Sequence, residues 1–156
     1  MAEDFFTARS YFERERSGDE ITSSQEDYLE MIYRMCIAEG KRVKVSELAK
    51  RLNVAVPSAT KAVSRLVGTG LVSCERYGSV YLTEKGRCKG AYLLKRHNVL
   101  KEFFCILHSD AELAHKEAEL AEHFMSPQTI FKLEYLNKML KKLENELELM
   151  PQTVKI

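Results

Sequence analysis

Two short amphipathic segments, Val45–Leu52 and Val56–Leu66, flank Asn53-Val54, and the spacing admits only a tight turn between two helices. Pro57 falls near the first position of the second segment, where a missing N–H costs nothing. Ser46 is the expected cap of the first. Gly68 and Gly70 end the second, and Leu71–Leu82 then reads as two strands around a turn near Tyr77-Gly78. A helix-turn-helix followed directly by a hairpin is a winged helix, and this order constrains the fold more than any other feature.

Helical periodicity surrounds that segment. Ser23-Ser24 open a helix with Leu29, Ile32, Tyr33 and Cys36 as its apolar stripe, and Gly40 stops it. Asp27 and Glu30 lie off the stripe. Thr83 caps a long helix from Glu84 to about Leu107, with Leu93, His97, Leu100 and Phe104 on one face. A further helix runs from about Asp110 to Met125, where Ser126-Pro127 break it. Leu113, Leu120, Ala121 and Phe124 occupy one of its sides, and Glu119, Glu122 and His123 roughly the opposite one. The last helix carries Ile130, Leu133, Leu136, Leu140, Leu143 and Leu147, a long stripe that asks for a partner from this chain or another. Residues 1–22 suggest a short helix ending near Ser17-Gly18, with no evident role.

A length of 156 residues with 45% hydrophobic content supports one compact unit, or two small subdomains sharing a helix. The acidic start and the lack of a long apolar run argue against a signal peptide or membrane span, so a cytoplasmic protein is expected. Cys36, Cys74, Cys88 and Cys105 include no C-x-x-C pair, and the expectation is four reduced thiols, several of them half-buried.

The net charge of +1 conceals a division. Residues 1–40 hold 4 Lys/Arg and 10 Asp/Glu, residues 41–101 hold 14 and 3, and residues 102–156 hold 6 and 10. A basic middle coinciding with the winged helix points to nucleic acid, since phosphate neutralisation supplies sequence-independent affinity. Ser58, Thr60, Lys61, Ser64 and Arg65 fall on the exposed side of the second helix, with Pro57 at its entry and Ser46 opening the first. Lys61 and Arg65 can reach bases or phosphates, while Ser58 and Thr60 can meet the backbone or a thymine methyl. Arg76 and Tyr77 at the wing tip can reach the backbone or the adjacent minor groove. A winged helix can also dock proteins, an alternative that charge alone leaves open.

Offsets of 0, +3 and +4 place Glu119, Glu122 and His123 on one helix face. Alone, such a face is more often solvated surface than a metal site. Asp27 and Glu30 alone complement a helix N-terminus, and a lone His97 on an apolar face is more often a hydrogen-bonded core residue. Taken together, the three groups come from helices that must pack around the winged helix, which favours a metal-controlled DNA-binding protein.

The motifs Glu26-Asp27-Tyr28-Leu29-Glu30-Met31-Ile32-Tyr33, Val56-Pro57-Ser58-Ala59-Thr60-Lys61, Leu82-Thr83-Glu84-Lys85-Gly86, Arg96-His97 and Glu119-x-x-Glu122-His123 carry a resemblance. The chain resembles the diphtheria toxin repressor family of metal-dependent transcriptional regulators, in its manganese-responsive branch, from about Ser24 to Glu148. The resemblance implies a homodimer of winged helices with a mostly helical dimerisation region, and metal held by Asp27, Glu30, His97, Glu119, Glu122 and His123. The iron-responsive branch typically has Met at the Asp27 position and Cys at the Glu119 position. Carboxylates at both places suit Mn²⁺, with Fe²⁺ or another divalent transition metal as the alternative, at one or two ions per subunit. Three departures stand out. Lys101 occupies a place that is often acidic, so an ancillary site like that of the iron branch lacks that group. The sequence ends before any SH3-like third domain, and residues 1–22 precede the resemblance.

The expected fold is mainly α: a winged helix-turn-helix with a small β-hairpin wing over residues 23–88, then an all-helical metal-binding and dimerisation domain over 89–150. Residues 1–22 form an extension and 151–156 a tail. The expected partners are operator double-stranded DNA, a second copy of the chain and a divalent metal ion, with no membrane. The expected function is a metal-dependent regulator, a repressor, of metal-homeostasis genes. A metal-independent winged-helix regulator or docking module is the alternative. A hydrolase built on Glu119 and Glu122 lacks a nucleophile motif and a phosphate loop, so no enzyme is expected.

Overall fold

The computed structural model describes residues 21–40, 42–75, 78–108 and 110–148. The short helix expected before Gly18, the wing-tip residues Arg76 and Tyr77, and the tail lie outside them. The chain divides after Leu94 into two compact units.

The first unit begins with α1 (Ser23–Glu39). Its cap is Thr22, one residue before the expected opening, and Thr22 and Gln25 bond reciprocally in a capping box. Gly40 ends it in the left-handed conformation at φ 93°. The chain continues through β1 (Val43–Lys44), α2 (Val45–Arg51), α3 (Val56–Gly68), β2 (Val72–Cys74) and β3 (Ser79–Leu82). Asn53, at φ 52°, makes the tight turn between α2 and α3.

β1 was not foreseen: a two-residue strand carries too little alternation to stand out in sequence. It pairs antiparallel with β3, Val43 opposite Val80, giving a three-stranded sheet of order β1-β3-β2. It also displaces the expected cap. β1 runs straight into α2, so Lys44 takes the cap position with no side-chain bond, and Ser46 lies inside the first turn. The Val45 N–H is satisfied by the Gly78 carbonyl at 3.2 Å instead.

Leu29, Ile32, Leu48, Val63, Leu66, Leu71 and Val80 are buried together in the core of this unit. Each such side chain contributes roughly 1.5–3 kcal/mol on removal from water. The next helix, α4 (Glu84–Leu107), starts as expected: Thr83 Oγ1 accepts from the Gly86 N–H at 3.0 Å. Gly86 is required by packing, because a Cβ there would collide with the Leu71 carbonyl.

The second unit holds α4 from Lys95, α5 (Ala111–Ala121), a 3₁₀ turn (Glu122–Phe124) and α6 (Pro127–Glu148). Asp110 caps α5 by accepting from the Glu112 N–H at 2.8 Å. Two expectations need correction. The α-helix ends at Ala121, so Glu122 and His123 sit in the tighter 3₁₀ turn. The buried side of α5 is Ala114 and Ala118, not the larger apolar residues, for Leu113, Leu120 and Phe124 are exposed. Ala118 joins Val99, Leu100 and Ile130 in this unit's core. On α6, Ile130 is buried and Leu133 and Leu140 partly so, while Leu136 and Leu143 face outward with Phe131, Tyr135 and Met139.

The cysteine expectation is also corrected: Cys36 alone is half-buried, and Cys74, Cys88 and Cys105 are exposed. Burial pushes the Cys36 thiol upward.

Candidate metal centre and nucleic-acid interface

The surface that could meet DNA is built by α3. Ala59, Val63 and Leu66 point into the core, which leaves Ser58, Thr60, Lys61, Ser64 and Arg65 exposed along the other side. Pro57 occupies the first turn, also exposed. Thr60 Oγ1 donates to the Val56 carbonyl at 2.9 Å, which fixes its rotamer and turns its methyl group away from that bond. Ser46 is exposed in the first turn of α2.

The acidic wall of the second unit converges on His97. Its Nδ1 lies 3.1 Å from Glu122 Oε2 and 3.2 Å from Glu119 Oε1. His97 is 4% exposed and Glu122 2%, whereas the Glu119 side chain is 50% exposed. The buried side of α5 explains the burial: Glu122 lies one turn after Ala118 and two after Ala114, and its N–H still donates to the Ala118 carbonyl, so it continues that inner face towards α4. A buried carboxylate is costly unless it is paired. Glu122 is paired with the imidazole through Oε2, and its Oε1 lies 3.6 Å from His123 Nε2. Arg96 Nη2 lies 3.5 Å from the other nitrogen of His123, Nδ1.

His115 was missed in the sequence. It lies one helical turn before Glu119, and that i, i+4 spacing was the available signal. Its Nε2 is 3.9 Å from Glu119 Oε1, and its ring meets His97 edge-on with centroids 5.5 Å apart. One ligand atom each from His97, His115 and Glu119 lie within 4.8 Å of one another. Two carboxylates and an imidazole nitrogen at hydrogen-bonding range are a donor set that a divalent transition-metal ion can bind.

The remaining candidates belong to the first unit. Asp27 and Glu30 stand one turn apart on α1, Asp27 exposed and Glu30 buried. Arg34 grips Glu30 Oε1 with Nε at 2.9 Å and Nη2 at 2.6 Å. Glu30, expected off the apolar stripe, is thus inside the protein as a charge-paired residue.

Known proteins agree in both halves. The N-terminal DNA binding domain of the iron dependent repressors matches residues 20–80, and their metal binding and dimerisation domain matches residues 83–146. The HTH-type transcriptional regulator MntR of Shouchella clausii is 40% identical over 105 residues, 67% of this chain and 73% of that protein. MntR of Geobacillus kaustophilus is 34% identical over 127 residues, 81% of this chain and 89% of that protein. Among solved structures, the manganese regulator SloR superposes with a TM-score of 0.64 at 28% identity, covering 78% of this chain and 55% of that one. A manganese-dependent transcriptional repressor in complex with manganese gives 0.66 at 28% identity, covering 73% and 52%. The chain therefore spans about half the length of these two structures. With both domains matched in order and curated relatives aligned over more than two thirds of their length, the chain belongs to the iron dependent repressor family.

Proposed function

We propose that this protein is a manganese-activated repressor that binds operator DNA as a homodimer in the cytoplasm. It would be the manganese-responsive form of the metal-dependent regulation its family carries out, and it is not an enzyme. The observation that carries the reading is the meeting of His97 Nδ1 with the Glu119 and Glu122 carboxylates, inside the domain matched as metal binding.

Glu119, Glu122, His97 and His123 would hold the ion from the second unit, and Asp27 and Glu30 from the DNA-binding unit. Oxygen donors outnumber nitrogen and no thiol takes part, which suits Mn²⁺ and argues against a site built for softer ions. Six side chains offer enough ligands for one or two ions per subunit. A bound divalent cation supplies the positive charge that two carboxylates around one imidazole lack.

The chain's own groups do the rest. Glu122 orients the His97 ring, and Arg96 stands against His123. Ligands contributed by α1 as well as by the metal-binding domain would make DNA binding depend on occupancy, and two winged helices in a dimer must match the spacing of two half-sites. Lys61 and Arg65 then neutralise phosphates or read guanine edges, with Ser46, Pro57, Ser58, Thr60 and Ser64 against the backbone and Arg76 and Tyr77 from the wing. The exposed Leu113, Leu120, Phe131, Tyr135 and Met139 supply an apolar face for the second copy.

The test is a duplex selected from a random pool in Mn²⁺, then titrated with Mn²⁺, Fe²⁺, Zn²⁺ or chelator. DNA affinity should rise with Mn²⁺, and Mn²⁺ affinity should rise by the same factor with DNA. Equal affinity in chelator and in every metal sinks the reading. A response to Fe²⁺ alone would reassign the ion.

A further inference from the structure

Within the second unit, α4 and α6 are joined by three polar rungs. Lys95 Nζ meets Glu134 Oε2 at 2.6 Å. Asn137 Nδ2 donates to the Val99 carbonyl at 2.9 Å. Lys141 pairs with Glu102. Residue numbers rise together on both helices, so the two run parallel. The rungs fall at steps of four then three on α4, and three then four on α6, the spacing of one stripe on each helix.

The outer rungs are partly exposed ion pairs, which contribute little by themselves. The middle rung differs. Asn137 is 1% exposed, and among the described residues its Oδ1 has no hydrogen-bond partner. A leucine there would leave no polar atom unsatisfied, so Asn137 lowers stability compared with what the seam could hold. Buried polar residues of this kind are best known for fixing the register of one helix on another. The flanking charges work in the same direction. Advancing α6 so that Lys138 takes the place of Glu134 would set Lys138 against Lys95.

Register matters here because of what precedes α6. Only Met125 and Ser126 separate the 3₁₀ turn holding Glu122 and His123 from Pro127. A slip of one helical turn, about 5.4 Å, is too large for so short a connector to absorb. It would draw Glu122 away from its 3.1 Å contact with His97 Nδ1.

We propose that Asn137 is a positioning residue for the metal centre: it fixes the axial register of α6 on α4 and, through the Met125-Ser126 connector, the place of Glu122 against His97. The inference rests on the metal centre proposed above, and its test separates the two. Full-length Asn137→Leu is compared with the parent by thermal unfolding without metal, by Mn²⁺ affinity, and by the amide NMR signals of α6. The expected result is a midpoint at or above the parent's, Mn²⁺ binding weakened about tenfold, and more than one set of α6 signals. A merely structural role would couple lost affinity to lost stability, and here the two part. Mn²⁺ affinity within about twofold of the parent, with a single set of α6 signals, overturns the proposal. Should the leucine variant fail to fold, Asn137→Ala carries the same test: about tenfold weaker Mn²⁺ binding in the folded variant supports the proposal, and unchanged binding overturns it. A parent that binds no Mn²⁺ sinks the metal centre and the positioning role with it. The α6 signals of the leucine variant then decide the register claim on their own.

Discussion

The helices α3 and α5 bury opposite kinds of side chain. α3 sends Val63 and Leu66 into the core and keeps its polar residues outside. α5 buries Ala114 and Ala118 and leaves Leu113 and Leu120 in the open, Leu120 at 72%. A helix whose whole partner lies in its own unit follows the simple amphipathic rule. In the proposed dimer α5 would lie between its own unit and a second copy, with small residues inward and large ones outward. A pair of leucine truncations separates the two helices. Leu66→Ala should lower unfolding free energy by about 2–5 kcal/mol, measured by chemical denaturation. Leu120→Ala should leave the isolated subunit within about 0.5 kcal/mol of the parent, while dimer dissociation, followed by sedimentation, moves to higher protein concentration. Equal losses of subunit stability in the two variants would end the distinction.

The same two helices differ in how they treat charge. α3 exposes Lys61 and Arg65, whereas the turn that ends α5 buries Glu122 beside His97. Glu122→Gln keeps the shape and removes the charge, and it should weaken Mn²⁺ binding by about 100-fold or more, beyond the loss usual for outer-shell groups. Calorimetry in Mn²⁺ reads this directly, and a variant with parental affinity would remove Glu122 from the site. On α3 the expected effect is smaller. Lys61→Ala should cost about 1–3 kcal/mol of DNA affinity if Lys61 reads a base. If it meets a phosphate, the loss is uniform across sequences and the salt dependence falls by about one counterion. Binding isotherms at several salt concentrations tell the two apart.

The difference between these regions also explains what could be read from the sequence. The winged helix was legible because its signals are local: a two-residue turn, Pro57 at a helix start, and Thr83 ahead of Glu84. β1 escaped because Val43-Lys44 is defined only by its pairing to Val80 and Ser79. In the second unit the sequence carried the candidate ligands but not their setting. Taking Leu113, Leu120 and Phe124 as the inner side of α5 put Glu122 outside, whereas it follows the buried Ala114 and Ala118 at steps of four. Leu113 and Leu120 read as core because hydrophobicity does not say whether the covering surface belongs to the same chain. Asn137 was invisible for the opposite reason: a polar residue inside a leucine stripe looks like surface until its neighbours are placed.

The smallest expected effect lies on α6 and concerns acid. The Lys95 ammonium, and after it Lys138, hold the Glu134 carboxyl below its ordinary value of 4.5. A carboxyl lowered in the folded state contributes stability that is present above the unfolded value and lost as pH falls through the folded one. For Glu134 the loss therefore begins near 4.5 and is complete only below the lowered value. Glu134→Gln removes this contribution, so parent and variant should differ at neutral pH and converge as pH is taken below that window. Their thermal midpoints across the acid range give the comparison. The group is partly exposed and its pairs are screened by salt, so the gap should be slight and should narrow with added salt. A gap that widened towards low pH would carry the wrong sign for an ion pair, and would mean that Glu134 acts through its shape in the α4–α6 seam and not through its charge.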